Sequence, residues 1–325
     1  MKERLPYIDI ASGIMIIWVL LFHALFPFYN GSVLQHIPFL YFFMPWFFYK
    51  SGMLFQPKDV KTECKNCAKK LLIPFVVWGL VGYAVYLLVL WQKGNLNSYT
   101  ALVEPLPSLL CRFRPPQNAP LWFLPVLFIV RQIANFLLPR VKVIWVVLLS
   151  LCVCVLIQLV NVPKCLDGLD KTLWGLFFFA CGYWLKNNET DKRLMILAGL
   201  VYVASLFTSI RVVYEGDAPL WSRLVYYPSC VMACVCFNNL CRCLAKWSFP
   251  VMSYVGRNAM HYYVAHFVVL YVTLNVVKMY KETWYAGWQG LLFVLFAYAI
   301  FLTLYSYLFN LLHDSTLRRQ PYNCG

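Results

Sequence analysis

The sequence predicts an all-α integral membrane protein, a bundle of about ten transmembrane helices with no separate soluble domain. Two observations carry this prediction. The 325 residues are 62% hydrophobic and only 13% charged, whereas soluble domains have about 45–50% apolar and about 25% charged residues. The apolar residues also form stretches of about 20 residues, the length that a helix needs to cross a bilayer.

Ten apolar stretches fit such helices along the chain. They cover residues 8–28, 37–55, 71–91, 121–138, 143–162, 172–186, 194–211, 225–244, 259–277 and 289–311. The longest connection, 92–120, contains several prolines, which prevent a continuous helix there. Because no connection is large enough for a soluble domain, residues 1–325 are predicted to form a single transmembrane domain.

The basic residues predict how the chain is oriented. Most of the 28 Lys and Arg residues lie in connections that share one side of the membrane with both chain ends. Cytoplasmic connections carry an excess of Lys and Arg, so we expect a multi-pass protein of the cell membrane (plasma or inner) with both termini in the cytoplasm. The net charge of +15 follows from these short connections, and no nucleic-acid partner is predicted.

The first apolar stretch contains His23, the strongest functional signal in the chain. Ionisable groups inside membrane segments are costly and mark functional sites, and histidine passes protons near neutral pH. Ser12 lies eleven residues earlier, close to three helical turns, so both side chains share one face about 16 Å apart. Asp9 falls near the same face. The alternative is that His23 only packs against a neighbouring helix and hydrogen-bonds a backbone carbonyl.

Two further cations lie within predicted spans. Lys50, in the second span, either extends to the interface or faces the bundle as a binding cation. Arg131, in the fourth, keeps its charge and therefore pairs with a carboxylate or a phosphate, so either a structural partner or a ligand can satisfy it.

No metal site is predicted. His261 and His266 share the ninth span, but five residues correspond to about 140° of helix, so they face different directions. Cys64 and Cys67 form a lone CxxC, whereas a structural zinc site needs four ligands.

Five segments, in order, resemble the membrane acyltransferase family 3, which includes the fucose 4-O-acetylase-like enzymes. They are Asp9-Ile10-Ala11-Ser12-Gly13 leading to His23, Phe47-Phe48-Tyr49-Lys50-Ser51-Gly52, Lys69-Lys70-Leu71-Leu72-Ile73-Pro74, Leu121-Trp122-Phe123-Leu124, and Gly256, Asn258, Tyr263 and His266 of a late Gly-x-Asn-Ser-x-x-x-Tyr-x-x-His pattern. The resemblance covers essentially the whole chain. The family has a basic residue where Ser12 stands and a serine where Ala259 stands.

The resemblance implies a membrane O-acyltransferase. It would move an acyl group, with acetyl as the expected group, from cytoplasmic acyl-CoA to a hydroxyl of a sugar in a cell-surface or exported glycan. His23 is the predicted general base, and a covalent acyl-histidine relay is the variant mechanism. Acetyl-CoA is then a co-substrate, and no permanently bound cofactor is expected.

The other candidate site residues fall into two groups. Asp9, Ser12, Lys50 and Arg131 are candidates for donor binding, with Lys50 replacing the cation that is missing at position 12. Trp122, Tyr263 and His266 are candidates for a central substrate cavity, and Asn258, closer to the cytoplasmic end, is a further substrate-binding candidate.

A transporter or flippase of lipid-linked sugars is the main alternative function. It would also need many spans and buried charges, but many transporters show an internal repeat, and this sequence shows none. A catalytically inactive family member acting as a receptor or scaffold is the third possibility. The expected partners are acyl-CoA, a glycan or lipid-linked sugar acceptor and the lipid bilayer; the sequence leaves the oligomeric state open.

Overall fold

The computed structural model describes residues 5–29, 41–95, 99–160, 167–207, 220–280 and 288–318. All regular elements within these ranges are helical. The helices are α1 Pro6–Tyr29, α2 Phe43–Met53, α3 Val60–Cys67, α4 Ile73–Gln92, α5 Tyr99–Val103, α6 Leu106–Arg112, α7 Phe123–Leu137, α8 Val143–Val160, α9 Asp167–Leu185, α10 Lys192–Phe207, α11 Leu220–Leu244, α12 Pro250–Arg257, α13 Ala259–Tyr280, α14 Trp288–Ala297 and α15 Thr303–Arg318.

Short irregular turns extend several of these helices. The π-helical turns Ala68–Leu72 and Tyr298–Leu302 connect α3 to α4 and α14 to α15, and the 3-10 turn Ala119–Trp122 precedes α7. In the described part of the proline-rich connection 92–120 the α-helices are the short α5 and α6, in agreement with the prediction that no continuous helix crosses it.

Six helical segments among the described residues are long and apolar enough to cross a membrane. They are Pro6–Phe26, Val60–Gln92, Ala119–Leu137, Leu224–Leu244, Ala259–Met279 and Trp288–Leu311. The all-helical, multi-pass character predicted from the sequence is therefore confirmed, whereas the count of ten spans stays a prediction.

The remaining four predicted spans lie in helices that do not meet these criteria, for different reasons. In α2 only 11 residues are helical, and the start of that predicted span, in 30–40, lies outside the described residues. The apolar part of α8 is the shorter segment Val143–Ile157. The first turns of α9 contain Asp167, Asp170 and Lys171, and α10 has 16 residues.

Two glycines bring α1 and α12 into backbone contact. A Cβ on Gly13 would overlap the carbonyl group of Met252, and a Cβ on Gly256 would overlap the carbonyl oxygen of Asp9. Small residues allow such close approach between helices in membranes. Gly52 of α2 packs in the same way against the backbone of α9 at Phe179.

A buried polar network joins the N-terminal half of α1 to α2, α11 and the connection after α9. The carboxylate of Glu189 is buried and accepts hydrogen bonds from Arg242 at 2.5 Å and from the Asn238 side chain at 2.7 Å. Arg242 also donates to the Tyr7 hydroxyl, and the Trp46 indole donates to Asn238 at 2.8 Å. Pairing compensates the cost of burying these charges, so the network is a fixed anchor for α1.

The two ends of α1 contact different parts of the chain. Tyr7, at its start, contacts Arg242, which lies in the last turn of α11. His23, near its end, shares a cavity with Ala119 and Pro120, which lie at the end of the proline-rich connection 92–120. The start of α1 is therefore held against α11, and its end borders the cavity. The cytoplasmic location of the start of α1 stays a prediction.

We expect Gly256→Ala to destabilise the protein by about 1–3 kcal/mol or more, because overpacking at a helix contact forces backbone shifts. Gly199→Ala is the matched control, since no atom lies within 4 Å of the Cβ it would add. In α10 that change should be neutral or stabilising by up to about 1 kcal/mol. Thermal unfolding of both variants in detergent measures the difference, and equal melting temperatures would contradict a close α1–α12 contact.

Candidate active site

His23 lies on the wall of a cavity of about 460 Å³. The walls come from α1, α2, the segment between α6 and α7, α9, α11 and α13, and they are mainly aromatic and aliphatic. His23 is half-buried. Its imidazole therefore borders an accessible space, as a reactive group requires.

Three aromatic rings surround the imidazole of His23. The ring centroids of Phe22 and Phe267 lie 5.4 and 5.3 Å away with near-perpendicular planes, and the centroid of His266 lies 5.2 Å away. Within the described residues, no protein atom hydrogen-bonds either ring nitrogen of His23. The carbonyl hydrogen bond of the alternative interpretation is therefore not formed there.

His266 is fully buried, and its hydrogen bonding defines its tautomer. Its Nδ1 lies 2.6 Å from the carbonyl oxygen of Tyr263. A carbonyl oxygen only accepts, so Nδ1 carries the proton, and in the neutral ring Nε2 carries the lone pair. This Nε2 is buried without a hydrogen-bond partner. A second basic nitrogen thus stands beside His23.

Trp122 and Tyr263 line the same cavity as His23. The Tyr263 hydroxyl donates to the carbonyl oxygen of Pro120, which ties α13 to the turn before α7. The ammonium group of Lys171 lies 4.9 Å from the centre of the Trp122 ring. The fold thus brings together His23, His266, Trp122 and Tyr263, which the sequence placed in a central cavity.

Asn258 lies away from this cavity, at the junction of α12 and α13. Its side chain donates to the Tyr254 carbonyl at 2.9 Å and accepts from Asn310 at 3.0 Å. Both ends of its amide are therefore engaged with neighbouring helices. The structure does not bring Asn258 together with His23.

Lys50 and Ser12 meet between α2 and α1. The Lys50 ammonium donates to the Ser12 hydroxyl at 2.9 Å, and that hydroxyl donates to the Ile8 carbonyl at 2.6 Å. The rings of Trp46 and Phe47 lie 5.3 and 5.8 Å from the ammonium group. The sequence argument placed Lys50 and Ser12 at one depth on adjacent helices, and this hydrogen bond agrees with it. Neither residue lines the cavity around His23.

Arg131 forms an ion pair with Glu63. Two guanidinium nitrogens lie 2.6 and 2.9 Å from one carboxylate oxygen of Glu63, and the Cys67 sulfur lies 3.0 Å from Arg131 Nε. Glu63 is buried, whereas a quarter of the Arg131 side chain is exposed. Arg131 therefore has the structural carboxylate partner that the sequence left open, and a role in donor binding stays a prediction.

A family comparison agrees with the motifs. The model of the acyltransferase domain known as acyltransferase family 3 matches residues 5–310. The chain belongs to acyltransferase family 3. Comparison with curated proteins and with solved structures gives no significant match.

The sequence did not single out Arg114, which lines the cavity of this family 3 acyltransferase. Positive φ angles at Phe113 and Gln117, 54° and 53°, turn the chain on either side of it. The Arg112-Phe113-Arg114 run was a visible signal, but only the folded connection shows that Arg114 lines the same cavity as His23.

We expect Arg131→Met to lower the free energy of unfolding by about 3–5 kcal/mol, because it leaves the buried Glu63 carboxylate without its partner. The double variant Glu63→Gln, Arg131→Met removes both charges and should regain most of the loss. Thermal unfolding in detergent tests this cycle; a double variant as unstable as Arg131→Met would contradict a structural pair. Acyl transfer by a stable double variant then reports any additional role of Arg131 in donor binding.

Proposed function

We propose that this membrane acyltransferase is an O-acyltransferase that moves an acyl group, with acetyl as the first candidate, from acyl-CoA to a sugar hydroxyl of a cell-surface or exported glycan. The observation that carries the proposal is His23, which borders the cavity with both ring nitrogens free of hydrogen bonds to the described residues. Family membership supports acyl transfer, and the cavity supplies room for an acceptor.

In the proposed reaction His23 is the general base. It takes the proton of the acceptor hydroxyl while the oxygen attacks the thioester carbonyl. The carbon–oxygen bond forms, the carbon–sulfur bond breaks, and the proton passes from His23 to the leaving thiolate. The products are the acylated sugar and free coenzyme A.

His266 supports this role of His23. Its Nδ1 proton is held by the Tyr263 carbonyl, so in its neutral form it presents only a lone pair at Nε2. A neutral imidazole 5.2 Å away leaves His23 free to gain a proton during transfer, whereas a second cation there would oppose it. In the acyl-histidine variant, His23 attacks the thioester carbonyl, the carbon–sulfur bond breaks, and the leaving thiolate takes the imidazole proton. The acceptor hydroxyl then attacks the acyl-histidine, and its proton returns to the His23 ring as the acyl group leaves it.

We assign the donor to the side of the basic connections. Ser12 lies on the same face of α1 as His23, about 16 Å along the helix, and Lys50 contacts it from α2. Asp9 is close enough to interact electrostatically with Lys50. Coenzyme A carries its thioester at the end of a long flexible arm, so its phosphates and its reactive carbon can occupy distant points. Lys50 would contact the phosphates and His23 the thioester.

The acceptor would enter from the side of the connection that carries Arg114. The rings of Trp122 and Trp174 line the cavity, and apolar ring faces with a few polar groups are typical of small-molecule sites. A flippase of lipid-linked sugars would also need such a cavity, but family membership favours the enzyme.

We expect His23→Ala to lower the turnover by at least about 10²-fold, the typical contribution of a positioned proton acceptor. The control is His261→Gln: the His261 ring packs 4.3 Å from that of Phe309 and does not line the cavity, so activity should persist. Release of free thiol from acetyl-CoA in the presence of glycan acceptor measures turnover. A loss of less than tenfold in a folded His23→Ala protein would contradict the proposed base.

We also expect Lys50→Met to abolish acyl transfer by weakening donor binding, because it removes the cation beside Ser12. The double variant Ser12→Arg, Lys50→Met returns a cation to the first helix and should regain part of the activity. Lys61→Met, which removes an exposed cation from α3, is the control and should behave as wild type. Acyl-CoA saturation curves give the result; full activity of Lys50→Met would exclude this role.

A further inference from the structure

Arg114 is the one charged residue among the described residues that line the cavity. Every other lining side chain is aromatic, aliphatic or the imidazole of His23. An arginine keeps its charge and presents a planar set of donors suited to carboxylate and phosphate. About 39% of the Arg114 side chain is exposed, so a ligand can reach the guanidinium, and an anion would supply hydrogen bonds that the apolar wall does not offer.

The protein completes only part of these hydrogen bonds. One terminal nitrogen of Arg114 lies 3.6 Å from a carboxylate oxygen of Asp167, beyond normal hydrogen-bond length. The same oxygen binds the Lys171 ammonium at 2.5 Å. Asp170, one turn further along α9, forms no ion pair with either cation in the described structure. The Arg114 Nε is buried and has no hydrogen-bond partner.

The surroundings of Arg114 fit a sugar. Trp122 and Trp174 line the same cavity, and Lys171 lies over the Trp122 ring, which brings a second positive charge close to the Arg114 side of the cavity. The apolar face of a sugar ring can pack on the aromatic rings, and the guanidinium can donate hydrogen bonds to a negatively charged substituent of that sugar.

We propose that Arg114 binds an oxyanion, a carboxylate or a phosphate, carried by the acceptor, and thereby selects acidic over neutral acceptors. This inference rests on the proposed function, since it assigns a substrate class to the cavity beside His23. The negative group would pair with the exposed part of the Arg114 guanidinium, while the sugar ring packs on the tryptophan faces and its hydroxyl reaches His23.

The test measures binding rather than acyl transfer. The full chain in lipid nanodiscs is titrated by equilibrium dialysis with radiolabelled glucose, glucuronate and glucose 1-phosphate. Wild type should bind at least one charged sugar tenfold or more tightly than glucose, because charge-assisted hydrogen bonds to arginine are strong. Preference for glucuronate indicates an acidic glycan, and preference for glucose 1-phosphate indicates a phosphate-bearing carrier.

Three variants complete the experiment. Arg114→Gln should lose tenfold or more in affinity for the preferred charged sugar and leave glucose binding unchanged. Arg114→Lys keeps the charge without the planar donors, so its affinity for the charged sugar should lie between those of wild type and Arg114→Gln. Arg112→Gln removes a cation two residues away, outside the cavity lining, and should bind as wild type. Should Arg114→Gln fail to fold, Arg114→Lys with a normal melting temperature provides the comparison.

The inference is overturned if the wild-type protein binds charged and neutral sugars with equal affinity or binds none of them measurably. It is also overturned if neither Arg114 variant changes the preference for the charged sugar. Its failure is separable from that of the proposed function. Acyl transfer at equal rates to charged and neutral acceptors would contradict only the role of Arg114. Selective anion binding without any acyl transfer would contradict only the enzyme proposal.

Discussion

The backbones of α1 and α12 touch where Gly13 and Gly256 meet, and the candidate chemistry depends on this contact because Ser12 and His23 both lie on α1. The contact holds one half of that helix without side chains between the backbones. The buried network around Glu189 holds the same half through Tyr7. The other half of α1 is thereby free to border a cavity while its position stays defined, and functional groups are held most accurately on rigid elements.

One helix therefore carries two polar positions of different character. At one, the Lys50 ammonium meets the Ser12 hydroxyl in tight packing. At the other, His23 borders open space beside His266. In the proposed reaction an extended donor would join the two along a single face of α1, while the acceptor would enter from the opposite side. Such a division suits a reaction whose two substrates arrive from different compartments.

Pairing divides the cations of the protein into two classes. Arg131 and Arg242 each bind a buried glutamate at short distance, so each of these two charges is paired within the fold. Lys50 has a serine hydroxyl as its hydrogen-bond partner, and Arg114 shares its aspartate with Lys171. A cation that is only partly paired within the fold can still pair with an anion, which makes Lys50 and Arg114 the better candidates for binding anions of substrates.

The helical membrane class and the shared face of Ser12 and His23 were predictable from the sequence. They follow from the lengths of apolar stretches and from 3.6 residues per turn, which are properties of neighbouring residues, whereas the expectation that Lys50 replaces the cation missing at position 12 came from the family resemblance. The tertiary structure decided the partner of Arg131, the separation of Asn258 from the cavity, and the presence of Arg114 in the cavity that His23 lines. Those contacts join residues far apart in the chain, and only the packing of the helices and the folding of the 92–120 connection determine which of them meet.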